Sequence, residues 1–277
     1  MSDVMCGAAT LQYRLVGARA PAVLLIHGTA AALWGDLPAR LSPGQCVVDY
    51  DRRGYDGSSG PAPTTLADHT DDAAALLEQL ELAPAVIVGW SVGGIIALDL
   101  AVRYPDRVAG LVLLEPPLHA KRHPTPRLIR GVVGGVIAGR RDPAAGADRF
   151  LRWALWNNAH RCPEDAVPIG WWQRMLGNGP AIVHEIGLGT GEQLTAASLR
   201  SIRCPAVVLH GDASDPGFRR AARRLAARVP SARLQAVAGS GHAMQADRPD
   251  VVAAAVKGLL VADAPAAPPS SGPPRLA

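Results

Sequence analysis

Lysine is nearly absent from this sequence, and Lys121 and Lys257 are its only two representatives in 277 residues. The net charge of +4 therefore depends on arginine, and acidic residues are interspersed almost everywhere. The densest basic run, at 219–228, has the spacing of a solvated helix face rather than of a phosphate-binding stripe. We expect no nucleic-acid partner.

Cysteine is also scarce, and no two cysteines form a CxxC pair. Neither a zinc site nor a disulfide framework is indicated. His119 and His123 form an HxxxH pair, but no acidic or cysteine partner accompanies it. We predict no metal site, and nothing in the sequence demands an organic cofactor. The four cysteines are Cys6, Cys46, Cys162 and Cys204.

The sequence lacks both a secretory signal and a long apolar run. Its first residues show no basic region followed by an apolar region, and no apolar stretch reaches the length of a membrane span. We expect no membrane span and a cytoplasmic location.

Short apolar, β-branched runs alternate with longer helical patterns along the chain. These runs are apolar almost throughout, as expected for parallel strands that helices cover on both faces. The pattern predicts a mostly parallel, doubly wound α/β sheet in one domain. The predicted strands lie at 22–28, 46–51, 85–91, 110–116 and 206–212.

The interval between the strand ending near Glu115 and the next strand near Pro205 is far longer than one crossover helix requires. We predict a helical cap at 118–204, inserted into a core made of 1–117 and 205–261. The remaining residues, 262–277, are rich in Pro, Ala and Ser, which predicts a disordered tail. The cap contains four of the six tryptophans. The four are Trp153, Trp156, Trp171 and Trp172. Together with Trp90 they are candidate substrate contacts, although the four in the cap could equally form the cap's own core.

The run 89–93 reads G-x-S-x-G with Ser91 at its centre. It follows a buried strand pattern and precedes a helical one. In that context glycines permit a sharp turn that presents the serine hydroxyl at a helix N-terminus. Ser91 is therefore the candidate nucleophile.

With this motif the chain resembles the α/β-hydrolase superfamily over about residues 10 to 260. His27-Gly28-Thr29 resembles the family's HG-x turn, the run 51–54 resembles its D-x-R-G loop, and the run 239–242 resembles its late G-x-G-H turn. One departure is Asp56, where the family usually has glycine. The resemblance implies that His242 is the general base and that the backbone N–H groups of Thr29 and Val92 form the oxyanion hole.

The acid that would orient His242 has two candidates. The family's commonest position falls on Ser214, and Asp215 lies one residue further on, before Pro216, where it could instead cap a helix. Glu115 closes an apolar strand, and active-site groups of such sheets collect at the carboxyl ends of strands. The zearalenone-type lactone hydrolases of this superfamily have their acid at a similar position, and we favour Glu115.

The serine at position 91 excludes the alkyl-enzyme chemistry of relatives that have aspartate there. We expect hydrolysis of a carboxylic ester or lactone through an acyl-enzyme, with a hydrophobic substrate, aromatic and cyclic substrates included. Two alternatives remain open: a carbon–carbon bond hydrolase or cofactor-free lyase on the same fold, and a catalytically silent binding protein.

Overall fold

The computed structural model describes residues 1–122, 124–156, 165, 167–168 and 170–262, and its centre is one eight-stranded sheet. The strand order is β1-β2-β4-β3-β5-β6-β7-β8; the β1–β2 and β2–β4 pairs are antiparallel and the remaining pairs are parallel. The strands are β1 Ser2–Cys6, β2 Ala9–Val16, β3 Ala22–Ile26, β4 Val47–Tyr50, β5 Ala85–Trp90, β6 Val108–Leu114, β7 Ala206–Gly211 and β8 Ala232–Val237.

Helices cover both faces of the sheet, because the central strands are apolar on both sides. All five residues of β3 are buried; Leu24 and Ile26 pack in one core cluster, whereas Val23 and Leu25 pack in the other. The predicted mostly parallel, doubly wound sheet is confirmed. The helices outside the β6–β7 connection are α1 Leu37–Leu41, α2 Leu66–Gln79, α3 Val92–Arg103, α9 Pro216–Ala226, α10 Met244–Asp247 and α11 Pro249–Ala262, with a 3-10 turn at Pro105–Arg107.

The strands end earlier than the sequence predicts, by one or two residues in each of the five runs. The run predicted at 110–116, for example, ends at Leu114, so that Glu115 lies beyond the last ladder position. The hairpin of β1 and β2, which the sequence did not predict, lies at the edge of the sheet and is only partly buried.

The connection from β6 to β7 contains five α-helices among its described residues. Two of them, α4 Pro126–Gly139 and α5 Pro143–Ala154, pack closely: a Cβ atom added at Gly131 would lie 2.6 Å from Cβ of Trp153. The division into core and cap domains stays a prediction. The helices of this connection are α4 Pro126–Gly139, α5 Pro143–Ala154, α6 Trp171–Gly177, α7 Gly179–Gly187 and α8 Ala196–Ser201, after a 3-10 turn at Ala120–Arg122.

Some sequence predictions fall outside the described residues. These concern His123, Cys162 and the tail from 263 onward. Among the residues that the structure describes, none of the helices combines the length and apolar character that crossing a bilayer requires. Within the same residues, no three histidine, cysteine or carboxylate side chains converge as metal ligands would.

A buried carboxylate in β4 predicts a pH dependence of stability. Asp49 is 7% exposed; its Oδ2 accepts a hydrogen bond from Arg14 at 2.8 Å, and its Oδ1 has no partner among the described residues. Burial raises the pKa of Asp49 to about 6, although Arg14 acts in the opposite direction. From pH ~4 to ~6 the folded state binds more protons at this site than the unfolded state, so this contribution to stability declines as pH rises.

We therefore expect Asp49→Asn to change the free energy of unfolding differently at the two ends of this range. Relative to wild type, the free energy of unfolding of the variant should rise by about 2 to 3 kcal/mol on going from pH 4 to pH 7.5, because asparagine does not ionise. Urea denaturation of both proteins at both pH values measures this difference. A difference that is the same at both pH values contradicts the prediction.

Candidate active site

Ser91 lies in a tight turn between β5 and α3 with φ 55° and ψ −122°, a conformation that is costly for a residue other than glycine. Its N–H donates a hydrogen bond to the carbonyl of Leu114 at 2.8 Å. A Cβ atom at Gly93 would lie 2.0 Å from the Ile26 oxygen, and one at Gly89 would lie 2.5 Å from the Gly93 oxygen. The turn therefore requires both glycines of the G-x-S-x-G motif.

The loop of residues 27–29 follows β3 and lies directly against this turn. A Cβ atom at Gly28 would come within 2.8 Å of Cβ of Ser91. Thr29, Ser91 and Val92 line the same cavity. Val92 is also the first residue of α3, where backbone N–H groups have no acceptor within the helix. Two backbone segments that carry candidate N–H donors thus meet beside the serine hydroxyl.

His242 and Glu115 form a buried hydrogen bond, with 2.7 Å between His242 Nδ1 and Glu115 Oε2. Glu115 is fully buried and follows the end of β6 with φ 47°, and its Oε1 accepts from the N–H of Gly211 at 2.9 Å. An ionised carboxylate accepts, so this bond favours the His242 tautomer with its proton on Nδ1. In that tautomer Nε2 is free to accept a proton.

Aromatic side chains fix the position of the His242 ring. The ring of Phe218 stacks on it, with centroids 3.9 Å apart and an interplanar angle of 12°. Trp153 in turn stacks with Phe218 at 5.5 Å between centroids. The indole N–H of Trp90 donates to the carbonyl of His242 at 2.8 Å. Phe218 of α9 thus contacts the His242 ring, Trp153 of α5 contacts Phe218, and Trp90 of β5 holds the His242 backbone.

Asp215, the other candidate acid, has a different environment. It is the N-cap of α9, and its Oδ1 accepts from the N–H of Gly217 at 2.7 Å, with Pro216 as the first helical residue. This is the helix-capping arrangement that its sequence context also fits. Of the two carboxylates, Glu115 is the one that the structure brings to His242.

The cavity at Ser91 has a volume of about 240 Å³, and most of its wall is apolar. It lies between the core and α4, α5 and α7. Its polar groups are few, as in other small-molecule sites, and include Thr29, Ser91 and Glu185. The apolar part of the wall includes Val92, Leu128, Ile129, Val132, Val133, Phe150, Trp153, Ile186 and Phe218.

Of the five tryptophans that the sequence offers as substrate contacts, the structure brings only Trp153 to the cavity wall. Trp90 is buried behind His242. Trp156 stacks with the guanidinium of Arg127 in an outer groove that Trp153 also lines. Trp171 and Trp172 pack in the core cluster on the α1 face of the sheet. We therefore keep Trp153 alone as a candidate substrate contact.

Sequence reasoning missed Phe150, Phe218 and Glu185. The sequence carries no signal for the first two: they are its only phenylalanines, and packing brings both to the Ser91 cavity. Phe218 lies near the start of an arginine-rich helix whose pattern suggested only a solvated face.

His119, of the HxxxH pair, contacts the Gly191 carbonyl through Nε2 at 3.1 Å.

A model of the alpha/beta hydrolase family matches residues 23–255. The pimeloyl-[acyl-carrier protein] methyl ester esterase of Aromatoleum aromaticum is 32% identical over 255 residues, which cover 87% of this chain and 98% of the esterase.

Solved structures share the fold. The enol-lactonase from Burkholderia xenovorans aligns with a TM-score of 0.75 at 24% identity, over 94% of this chain and 100% of that chain. A thermophilic esterase from Thermogutta terrifontis aligns with a TM-score of 0.76 at 23% identity, over 94% and 98%. The relatives support hydrolase activity, and the family match covers most of the sequence. This chain belongs to the alpha/beta hydrolase family.

Proposed function

We propose that this protein is a serine hydrolase that cleaves a carboxylic ester or lactone of a hydrophobic substrate through an acyl-enzyme. The observation that carries the proposal is the buried His242–Glu115 hydrogen bond beside the strained turn of Ser91. Nucleophile, base and orienting carboxylate come from three different loops at the carboxyl ends of parallel strands. A catalytic triad is defined by this geometry and not by the order of its residues along the chain.

In the proposed reaction the Ser91 oxygen bonds to the carbonyl carbon while its proton passes to His242 Nε2. The Thr29 and Val92 N–H groups stabilise the oxyanion, and Glu115 stabilises the imidazolium that forms. Collapse of the intermediate expels the alkoxide, which takes the proton from His242. Water then attacks the acyl-enzyme in the same way, and the acid leaves with Ser91 regenerated.

The cavity argues for a small or medium-sized apolar acyl group. Its volume of about 240 Å³ lies just below the range of typical ligand pockets, which is roughly 300 to 1,000 Å³. The rings of Phe150, Trp153 and Phe218 line the cavity, so an aromatic or cyclic acyl group would find aromatic contacts there. The esterase relative is named for a methyl ester and a structural neighbour for a lactone, so both substrate types belong in the first screen.

The assignment of Ser91, Glu115 and Asp215 predicts a graded set of activities on an aryl ester. Ser91→Ala should lower kcat by on the order of 10⁶-fold. Glu115→Gln should lower kcat by roughly 10³- to 10⁴-fold, because His242 loses the carboxylate that fixes its tautomer. Asp215→Asn, the matched acidic control, should remain within about threefold of wild type, since asparagine also caps helices well. Initial rates and circular dichroism spectra of all four proteins test this.

Each alternative outcome has a distinct meaning. If Asp215→Asn is inactive while Glu115→Gln is active, the acid is wrongly assigned. If wild type hydrolyses no ester or lactone and Ser91 does not react with an aryl phosphonate, the serine hydrolase proposal fails. That outcome favours the lyase or the binding-protein interpretation.

The position of Trp153 predicts a change in acyl-chain preference. Trp153→Ala removes part of the cavity wall. The ratio of kcat/KM for an octanoyl aryl ester to kcat/KM for an acetyl aryl ester should therefore rise by roughly tenfold relative to wild type. Trp156→Ala is the matched control, because Trp156 lines the outer groove and not the Ser91 cavity. Equal preferences in the two variants would show that Trp153 does not contact the acyl group.

A further inference from the structure

A carboxylate from the β6–β7 connection contacts the 27–29 loop at the wall of the Ser91 cavity. Glu185 of α7 is 4% exposed, and its Oε1 accepts a hydrogen bond from the hydroxyl of Thr29. Arg52, which is fully buried, donates to both Glu185 oxygens: Nη1 to Oε2 at 2.6 Å and Nη2 to Oε1 at 3.0 Å. The bidentate geometry is the strong form of an arginine–carboxylate pair.

The pair contacts every residue of the 27–29 loop. Arg52 Nη2 also donates to the Gly28 carbonyl at 3.0 Å, and the Arg52 backbone N–H donates to Nε2 of His27 at 2.9 Å. With the Thr29–Glu185 bond, all three residues of this loop have a polar partner in the pair. The loop that resembles an oxyanion turn is therefore held in place by hydrogen bonds to Arg52 and Glu185.

The charges of the pair are compatible with a neighbouring oxyanion. Burial alone would raise the pKa of Glu185, but Arg52 and His69 outweigh it and hold that pKa well below its ordinary range. Burial and the charge of Arg52 hold the pKa of His27 well below 6.5, so its ring stays neutral and can accept from the Arg52 N–H. Arg52 neutralises Glu185, which would otherwise repel negative charge developing at Ser91.

These contacts do not follow from the family's motifs. Thr29 and Arg52 stand at the variable positions of HG-x and D-x-R-G, and Glu185 lies in the connection between β6 and β7. The motif arginine is Arg53, which forms its own bidentate pair with Asp72 at 2.6 and 2.9 Å. Of the Arg52–Glu185 and Arg53–Asp72 pairs, the first contacts the 27–29 loop.

We propose that Glu185, paired with Arg52, is a positioning residue for ester hydrolysis: it fixes the side chain of Thr29 and thereby aims the Thr29 N–H at the oxyanion. The inference rests on the proposed function. Glu185 itself touches no reacting atom in this proposal. Because α7 supplies the carboxylate, the oxyanion hole is complete only when α7 packs against the 27–29 loop.

The test isolates the Thr29–Glu185 bond from the rest of the loop. Thr29→Val keeps the shape and the backbone N–H but removes the hydroxyl, and kcat for an aryl ester should fall roughly 10- to 100-fold with little change in KM. Thr29→Ser keeps the hydroxyl and should restore most of kcat. Glu185→Gln should lower kcat in the same way and also lower Tm, because it leaves the Arg52 charge unpaired.

Asp72→Asn is the control for a merely structural role. It breaks the Arg53 pair, so it should lower Tm while kcat, measured well below Tm, stays within about twofold of wild type. Wild-type kcat in Thr29→Val, or equal kcat losses in Asp72→Asn and Glu185→Gln, would overturn the inference.

A second readout does not depend on ester turnover. The rate at which an aryl phosphonate labels Ser91 also depends on the oxyanion hole, and it should fall in Thr29→Val and recover in Thr29→Ser. If wild type hydrolyses no ester yet labels with this ranking, the positioning role stands and only the substrate proposal fails. If labelling is equal in all variants, the positioning role fails while the serine nucleophile stands.

Discussion

The site depends on how closely three backbone segments approach one another at the carboxyl edge of the sheet. The turn at Ser91 lies so near the end of β3 that a single Cβ atom at Gly93 would overlap the Ile26 oxygen. Ser91 holds an unfavourable φ, and the bond from its N–H to Leu114 ties it to the next strand. Sheet hydrogen bonding and burial of β3, β5 and β6 supply the free energy that maintains this strain.

The same edge explains why a glutamate can lie beside His242. Glu115 follows β6, which is flanked by β5 with the serine turn and by β7, whose last residue Gly211 donates to the second carboxylate oxygen. A carboxylate here is fully buried, and each of its oxygens has a partner. Asp215, beyond β7, is instead committed to the first turn of α9. Local hydrogen bonding therefore distinguishes the roles of Glu115 and Asp215, which chain position alone does not distinguish.

The sequence predicted the central sheet well because short, wholly apolar runs that alternate with helical patterns are typical of parallel strands covered by helices on both faces. The edge hairpin was missed because β1 and β2 are half-exposed and carry a mixed pattern. The motifs indicated where Ser91 and His242 stand, since glycine spacing encodes a turn. Phe218 and the Arg52–Glu185 pair escaped prediction for another reason. Their contacts join residues 24 to 133 positions apart, and only the packing of α7 and α9 brings them to the site.

The placement of Phe150 and Phe218 has a practical consequence. Since the chain contains no other phenylalanine, both aromatic rings of this type belong to the wall of one cavity. Biosynthetic incorporation of fluorophenylalanine would therefore put every fluorine nucleus within that wall, one of them stacked on the imidazole of His242. Fluorine magnetic resonance would then report on ligand occupancy and on imidazole ionisation without background from the rest of the fold.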